Sequence, residues 1–281
     1  MSADMPATPA RPSRAGRDLR AAIAVGVVLG AAIILSLLIL RHVYIGIVAA
    51  AVAISTVELA GALHRGAGIR VSLLPVLLGG QAMLWLSWPF GVNGLMIVFA
   101  VTVLSCLVWR FARGAEGYFR DVSASVLMTA YLPLFASFAA MLVVPEDGAF
   151  RAMAFMVGVV ASDTGGYTLG VLLGKHPMAP KVSPKKTWEG FAGSMLAGVA
   201  AGVATVMLLL EGQWWQGALF GAAVVCSATI GDLMESLMKR DLGIKDMGNL
   251  LPGHGGLMDR MDSLLPSAVV AWLMLSWLVP A

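Results

Sequence analysis

Apolar residues run along this chain in blocks long enough to cross a bilayer, with polar residues confined to short stretches between them. About 20 apolar residues span the roughly 30 Å of hydrocarbon in a membrane. On that measure the pattern predicts helices near 21–40, 43–63, 71–88, 92–110, 122–144, 150–173, 190–210, 214–236 and 263–280. Turn chemistry or charge marks the breaks: HRGAGIR after Leu63, WPFGVNG near Trp88, RFARGAEGYFRD after Trp109, PEDGAFR after Val144 and EGQWWQ after Leu210. The expectation is an all-α, polytopic integral membrane protein of about nine transmembrane helices, since helices satisfy their own backbone polar groups in lipid. Three regions follow: a disordered tail at 1–20, rich in Pro, Ala and Arg; N-terminal transmembrane helices at 21–150; and a C-terminal transmembrane region at 151–281 that holds the candidate chemistry. The run at 21–40 ends in Arg41-His42 rather than at a small-residue cleavage site, so it reads as a retained span.

Composition supports the same class, with 59% hydrophobic residues, 12% charged residues and a mean hydropathy of +0.85. Cys106 and Cys226 stand singly in apolar runs, so neither a disulfide framework nor a zinc site is indicated. The net charge of +3 matters less than its distribution. Alternating sides puts the tail, the loops at 64–70, 110–121 and 174–189, and the segment 237–262 together, with 17 of the 19 Lys and Arg residues. Arg41 and Arg151 remain opposite. The positive-inside rule then makes the crowded side cytoplasmic and the N-terminus internal. With no soluble domain left over, the chemistry belongs at the membrane surface, and no nucleic-acid partner is expected.

Ionisable groups concentrate in a few places. Asp232, Glu235, Ser236 and Lys239 lie at i, i+3, i+4 and i+7, on one face near the end of the eighth predicted helix. A helix end entering water explains Lys239 and Arg240, which complement the helix dipole, but not the acids, which meet its unfavourable end. Asp259 and Asp262 precede the ninth helix at i, i+3; one carboxylate there is ordinary capping, while two on one turn suit a hard cation held through oxygen. Between the two sets, Gly253, His254, Gly255 and Gly256 form a loop that reads equally as a re-entrant turn or, beside Lys239, Arg240, Lys245 and Arg260, as a phosphate cradle. Ser183, Lys185, Lys186, Thr187 and Glu189 lead into the seventh helix. Thr187 and Glu189 lack capping-box spacing, and the lysine pair fits generic lipid anchoring and specific anion binding equally well. Asp163 sits deep in the sixth run, where an acid needs a polar cavity. Glycine stripes at Gly166, Gly170 and Gly174, and at Gly217 and Gly221, read as helix-packing faces; they permit a homodimer without establishing one. Glu58, Glu116, His42, His64 and His176 lie near span ends or in loops and receive no role.

These residues form a larger pattern. Ser236, Lys239-Arg240, Lys245-Asp246, Gly248, Leu251-Pro252 and His254-Gly255-Gly256, followed by Asp259-Arg260 and Asp262, resemble without mismatch the signature of the phosphatidate cytidylyltransferases, also called CDP-diacylglycerol synthases. The segments Ser183–Gly190 and Ser162–Tyr167 are similar to further segments of that family, so the resemblance covers 155–265. It implies conversion of CTP and phosphatidate to CDP-diacylglycerol and pyrophosphate at the cytoplasmic face of a bacterial inner membrane. It also implies Mg²⁺ held by Asp232, Asp259 and Asp262, and a second, monovalent cation such as K⁺.

Two polyanions meet in that reaction, so electrostatics and positioning dominate the barrier. Lys239, Arg240, Lys245 and Arg260 are expected on phosphates, Lys185 and Lys186 on the nucleotide or the lipid head group, and Asp163 at the cation site or orienting a lysine. His254 is expected as a phosphate donor or loop organiser, because an ionised phosphate monoester needs no strong base. A CTP-dependent enzyme acting on another membrane lipid, such as a polyprenol or phytol kinase or an ether-lipid synthase, is the alternative. A transporter is a more distant one, since its charges would line a path across the bilayer.

Overall fold

A computed structural model describes residues 30, 33–37, 39–248 and 256–280. The tail at 1–20 and most of the first predicted span lie outside the described residues, as do His254 and Gly255. Helix dominates: α1 is Arg41–Ala67, α2 Leu73–Phe111, α3 Tyr118–Thr129, α4 Phe135–Leu142, α5 Gly148–Leu173, α6 Trp188–Leu209, α7 Trp214–Asp241 and α8 Leu264–Leu278. A π-helical turn, Ala130–Leu134, joins α3 to α4, so that Tyr118–Leu142 forms one apolar rod. Six helical segments among the described residues are long and apolar enough to cross a membrane, and α8 is a shorter apolar helix. The protein is an all-α polytopic membrane protein.

Local chemistry explains the departures from straight helices. Helix α2 covers two predicted spans in 39 residues, and Gly91, at φ 56° and ψ −149°, interrupts it two residues after Pro89. Those angles are open to glycine alone. Gly79 packs against the Thr102 side chain, although a straight helix would hold them about 35 Å apart. The chain therefore reverses at Gly91, and α2 is a helical hairpin.

Glycine also sets the spacing around the C-terminal helices. A Cβ on Gly165 would lie 2.5 Å from the Gly193 carbonyl oxygen and 2.6 Å from Ala197 Cβ, so α5 and α6 touch backbone to backbone. Gly202 and Gly217 bring α6 against α7 in the same way. The glycine stripes are packing seams within the chain, as small residues in membrane helices commonly are.

The bundle's two ends differ. At one, Arg41 donates to the carbonyls of Pro145 at 2.7 Å and Glu146 at 2.5 Å, and buried Arg151 to those of Leu275 at 3.0 Å and Val279 at 2.6 Å. These two arginines cap free backbone oxygens. The other described basic residues gather at the opposite end, where Arg110 pairs with buried Asp121 at 3.0 Å and a two-stranded hairpin, β1 Pro177–Ala179 and β2 Ser183–Thr187, covers the helix ends.

Candidate active site

The site begins at the last turns of α7, where Gly231 lets the Asp262 backbone approach the helix directly. Four residues on, Glu235 is fully buried and Lys239 reaches back one turn to its Oε2 at 2.8 Å. The same ammonium donates to Asp259 Oδ1 at 3.1 Å. Lys239 thus bridges two carboxylates, while Glu235 faces Asp262 and its Oε1 is buried without a hydrogen-bond partner among the described residues.

Asp259 lies in a 3₁₀ turn, Met258–Arg260, and organises the chain around it. Its carboxylate accepts from Gly256 N at 2.8 Å and from Met247 N at 3.0 Å, which ties these two backbone positions to one side chain. Asp262 accepts from Ser263 N at 2.7 Å at the entry to α8. Burial, with the Asp232 carboxylate beside it, pushes the Asp262 carboxyl above the usual aspartate range.

A cavity of about 390 Å³ opens beside these residues, within the size range of small-molecule sites. Asp163 on α5, Asp232 on α7, Asp259, Arg260 and Asp262 before α8, and Lys185, Lys186 and Thr187 of the hairpin all line it. Ser162 on α5, Ser194 on α6 and Thr229 on α7 line it as well. Lys186 forms an ion pair with Asp232 across the cavity.

The hairpin is held at both ends. Thr187 is the N-cap of α6, accepting from Gly190 N at 3.1 Å, without the glutamate of a capping box. Glu189 instead accepts from Lys175 N and His176 N, both at 3.2 Å, and meets His176 Nδ1 at 2.5 Å. The tip, which contains Ser183, is tied down by Arg240 donating to the Val182 carbonyl. Lys245 is exposed, and Ser236 is half-buried on the acidic face of α7. Neither lines the cavity, nor do Ser183, Glu189, Lys239 and Arg240.

The acids divide by surroundings. Asp163, Asp232 and Asp262 face one cavity within electrostatic reach of one another. Hard oxygen donors with surplus negative charge suit a cation such as Mg²⁺. Asp259 fits that task less well, because both its oxygens already accept hydrogen bonds. As they stand, no three acids, histidines or cysteines among the described residues enclose an ion. In this structure the Lys186 ammonium provides the positive charge at Asp232.

Sequence reasoning passed over Glu58 and His176. His176 anchors the hairpin through Glu189. Glu58, on α1, accepts from Met258 N at 2.9 Å, one residue before Asp259. No local spacing signals a contact across 200 residues.

Comparison with known proteins covers nearly the whole chain. A sequence model of the cytidylyltransferase family matches residues 20–278. A phosphatidate cytidylyltransferase of Mycobacterium bovis is 50% identical over 279 residues, 95% of this chain and 91% of its own length. One from Mycobacterium leprae is 48% identical over 281 residues, covering 94% and 90%. A phosphatidate cytidylyltransferase of Brucella suis is 39% identical over 129 residues, about half of each chain.

Proposed function

The chain belongs to the cytidylyltransferase family, and we propose that the cavity at the end of α7 is where it transfers a cytidylyl group to a lipid. It converts CTP and phosphatidate to CDP-diacylglycerol and pyrophosphate. The observation that carries the site assignment is the meeting, in one cavity lined by three membrane helices, of Lys185, Lys186 and Arg260 with Asp163, Asp232 and Asp262. Cations for two polyanions and acids for a metal stand together where a lipid head group and a soluble nucleotide can both arrive.

An oxygen of the phosphatidate phosphate attacks the α-phosphorus of CTP, the bond from that phosphorus to the bridging oxygen breaks, and pyrophosphate leaves. The attacking monoester has a second pKa of about 6 and is already ionised near neutral pH, so no side chain need act as a strong base. Repulsion between the anions and their alignment make up most of the barrier. Lys185, Lys186 and Arg260 supply fixed positive charge for the phosphates, and Lys186 exchanges Asp232 for the triphosphate as CTP binds. Asp232 and Asp262, with Asp163 beside them, would hold Mg²⁺, which neutralises charge on the triphosphate and on the departing pyrophosphate. Asp259 and Lys239 hold the Met247 and Gly256 amides and the α7 end in register rather than contacting the reacting atoms.

The site's end of the bundle carries all the described Lys and Arg except Arg41 and Arg151, which supports a cytoplasmic site in a bacterial plasma membrane. A transporter would place ionisable groups along a path through the bundle; here Arg41 and Arg151 are bound to backbone carbonyls at the far end. The glycine faces of α5, α6 and α7 are used within the chain, and a homodimer is not part of the proposal. Purified protein given labelled CTP and phosphatidate is expected to release CDP-diacylglycerol and pyrophosphate only with Mg²⁺ present. Lys186→Ala should lower turnover about 100-fold. Turnover of another lipid phosphate in place of phosphatidate would sink the substrate assignment, and full activity in chelator the metal assignment.

A further inference from the structure

One face of α1 meets the signature segment turn after turn. Ser55, Glu58, Ala62 and Arg65 follow at i, i+3, i+7 and i+10, the spacing of a single helix face. Ser55 Oγ lies 3.3 Å from Met261 Sδ, Glu58 Oε2 accepts from Met258 N at 2.9 Å, and Arg65 Nη2 donates to the Met247 carbonyl at 3.3 Å. Ala62 between them is fully buried, and Gly66, one residue further on, lies against the Leu242 backbone.

Glu58 occupies the middle of this contact, and two signature glycines close around it. A Cβ on Gly248 would collide with Glu58 Oε1 and its carboxyl carbon. A Cβ on Gly256 would lie 2.7 Å from Glu58 Oε2 and 2.7 Å from Gly248 N. Neither glycine has the positive φ that would by itself require glycine. Their lack of a side chain is explained by the space the carboxylate fills. Glu58 Oε1 is buried with no hydrogen-bond partner among the described residues.

We propose that Glu58, on α1, is a positioning residue of the cytidylyl-transfer site: it seats the Met258–Arg260 turn that delivers Asp259, Arg260 and Asp262, and Gly248 and Gly256 are glycines to admit its carboxylate. Two acids then hold the backbone around Asp259. Asp259 draws in the Met247 and Gly256 amides, and Glu58 draws in the adjacent Met258 amide. The inference rests on the proposed reaction at this cavity and adds that the N-terminal half, which lends the cavity no lining residue, sets its geometry.

The test uses the purified full-length protein with CTP and phosphatidate. Glu58→Ala is expected to lower kcat about 10- to 100-fold, as loss of outer supporting contacts does, with the melting temperature and elution profile of the folded protein kept. Glu58→Gln, which retains an acceptor for the Met258 amide, should keep more activity than Glu58→Ala. Gly248→Ala should be defective, and adding Glu58→Ala to it should cost nothing further, because the carboxylate it strikes has gone. Wild-type kcat in Glu58→Ala overturns the proposal, as does a double variant whose loss equals the product of the two single losses. Should Glu58→Ala not accumulate, Gly248→Ala decides, since wild-type kcat there means the glycine makes room for nothing. A silent wild type overturns the proposed reaction together with this inference; an active wild type with unaffected variants overturns the role of Glu58 alone.

Discussion

Asp262 shows what the site needs at the scale of single residues. It is half-buried beside Asp232 and facing Glu235, and its carboxyl is held above the usual aspartate range. A proton is therefore held more tightly in the folded chain than in the unfolded one. The stability this adds is present at low pH and is lost as pH rises above the ordinary Asp value of about 3.9. Asp262→Asn removes the repulsion and should raise the melting temperature at pH 8 by about 2 °C while lowering turnover about 100-fold. By the same sign, Mg²⁺ should raise the melting temperature of the wild type more at pH 8 than at pH 5, and should do so hardly at all in Asp262→Asn; equal shifts in both proteins would remove Asp262 from the cation site. Lys239 presents the converse case. Lys239→Met strands the fully buried Glu235 without its cation and should destabilise the protein by about 3 kcal/mol. Adding Glu235→Gln should recover most of the melting temperature without restoring activity, because Asp259 still lacks its lysine. Asp232, Asp259 and Asp262 were visible in the sequence because acids bordering apolar runs are conspicuous there. That Asp259 holds two amides, whereas Asp232 and Asp262 stand closer to a cation's needs, depends on where the Met247 and Gly256 amides come to lie.

Two elements decide how the site is assembled. The hairpin carrying Lys185 and Lys186 hangs from Glu189, which receives two amides and the His176 ring. Glu189→Ala should leave the helices intact, speed tryptic cleavage after Lys181 several-fold and raise the KM for CTP more than it lowers kcat. An unchanged digestion pattern would show that the hairpin is held elsewhere. The second element is the α5–α6 seam. Gly165→Val has no room beside the Gly193 carbonyl and should separate the helices at a cost of about 3 kcal/mol, seen as loss of the monodisperse peak in detergent. Gly46→Ala, which meets nothing within 4 Å, is the matched control. Hydropathy predicted the spans on either side of Gly91, because apolar length is a property of the local chain. The hairpin strands were not anticipated, since SPKKT lacks any alternation of apolar and polar residues and pairs with PMA only through the backbone.

Across the whole molecule, charge is polarised from one end to the other, and this carries the orientation. In a chain with Cys106 and Cys226 replaced by alanine, a cysteine at Lys245 should react with an impermeant maleimide only from the cytoplasmic side, and one at Glu146 only from the outside. Labelling of both from one side would overturn the arrangement. The membrane class, most of the helix boundaries, the signature and the acids within it are legible along the chain, because apolar length and the cost of charge in lipid act residue by residue. Which groups meet emerged only on folding: Lys186 with Asp232, Lys239 between Glu235 and Asp259, and Glu58 with the Met258 amide 200 residues away. The reason is that the α1, α5, α6 and α7 contacts rest on glycine-sized gaps, and a gap has a partner only once the helices are packed.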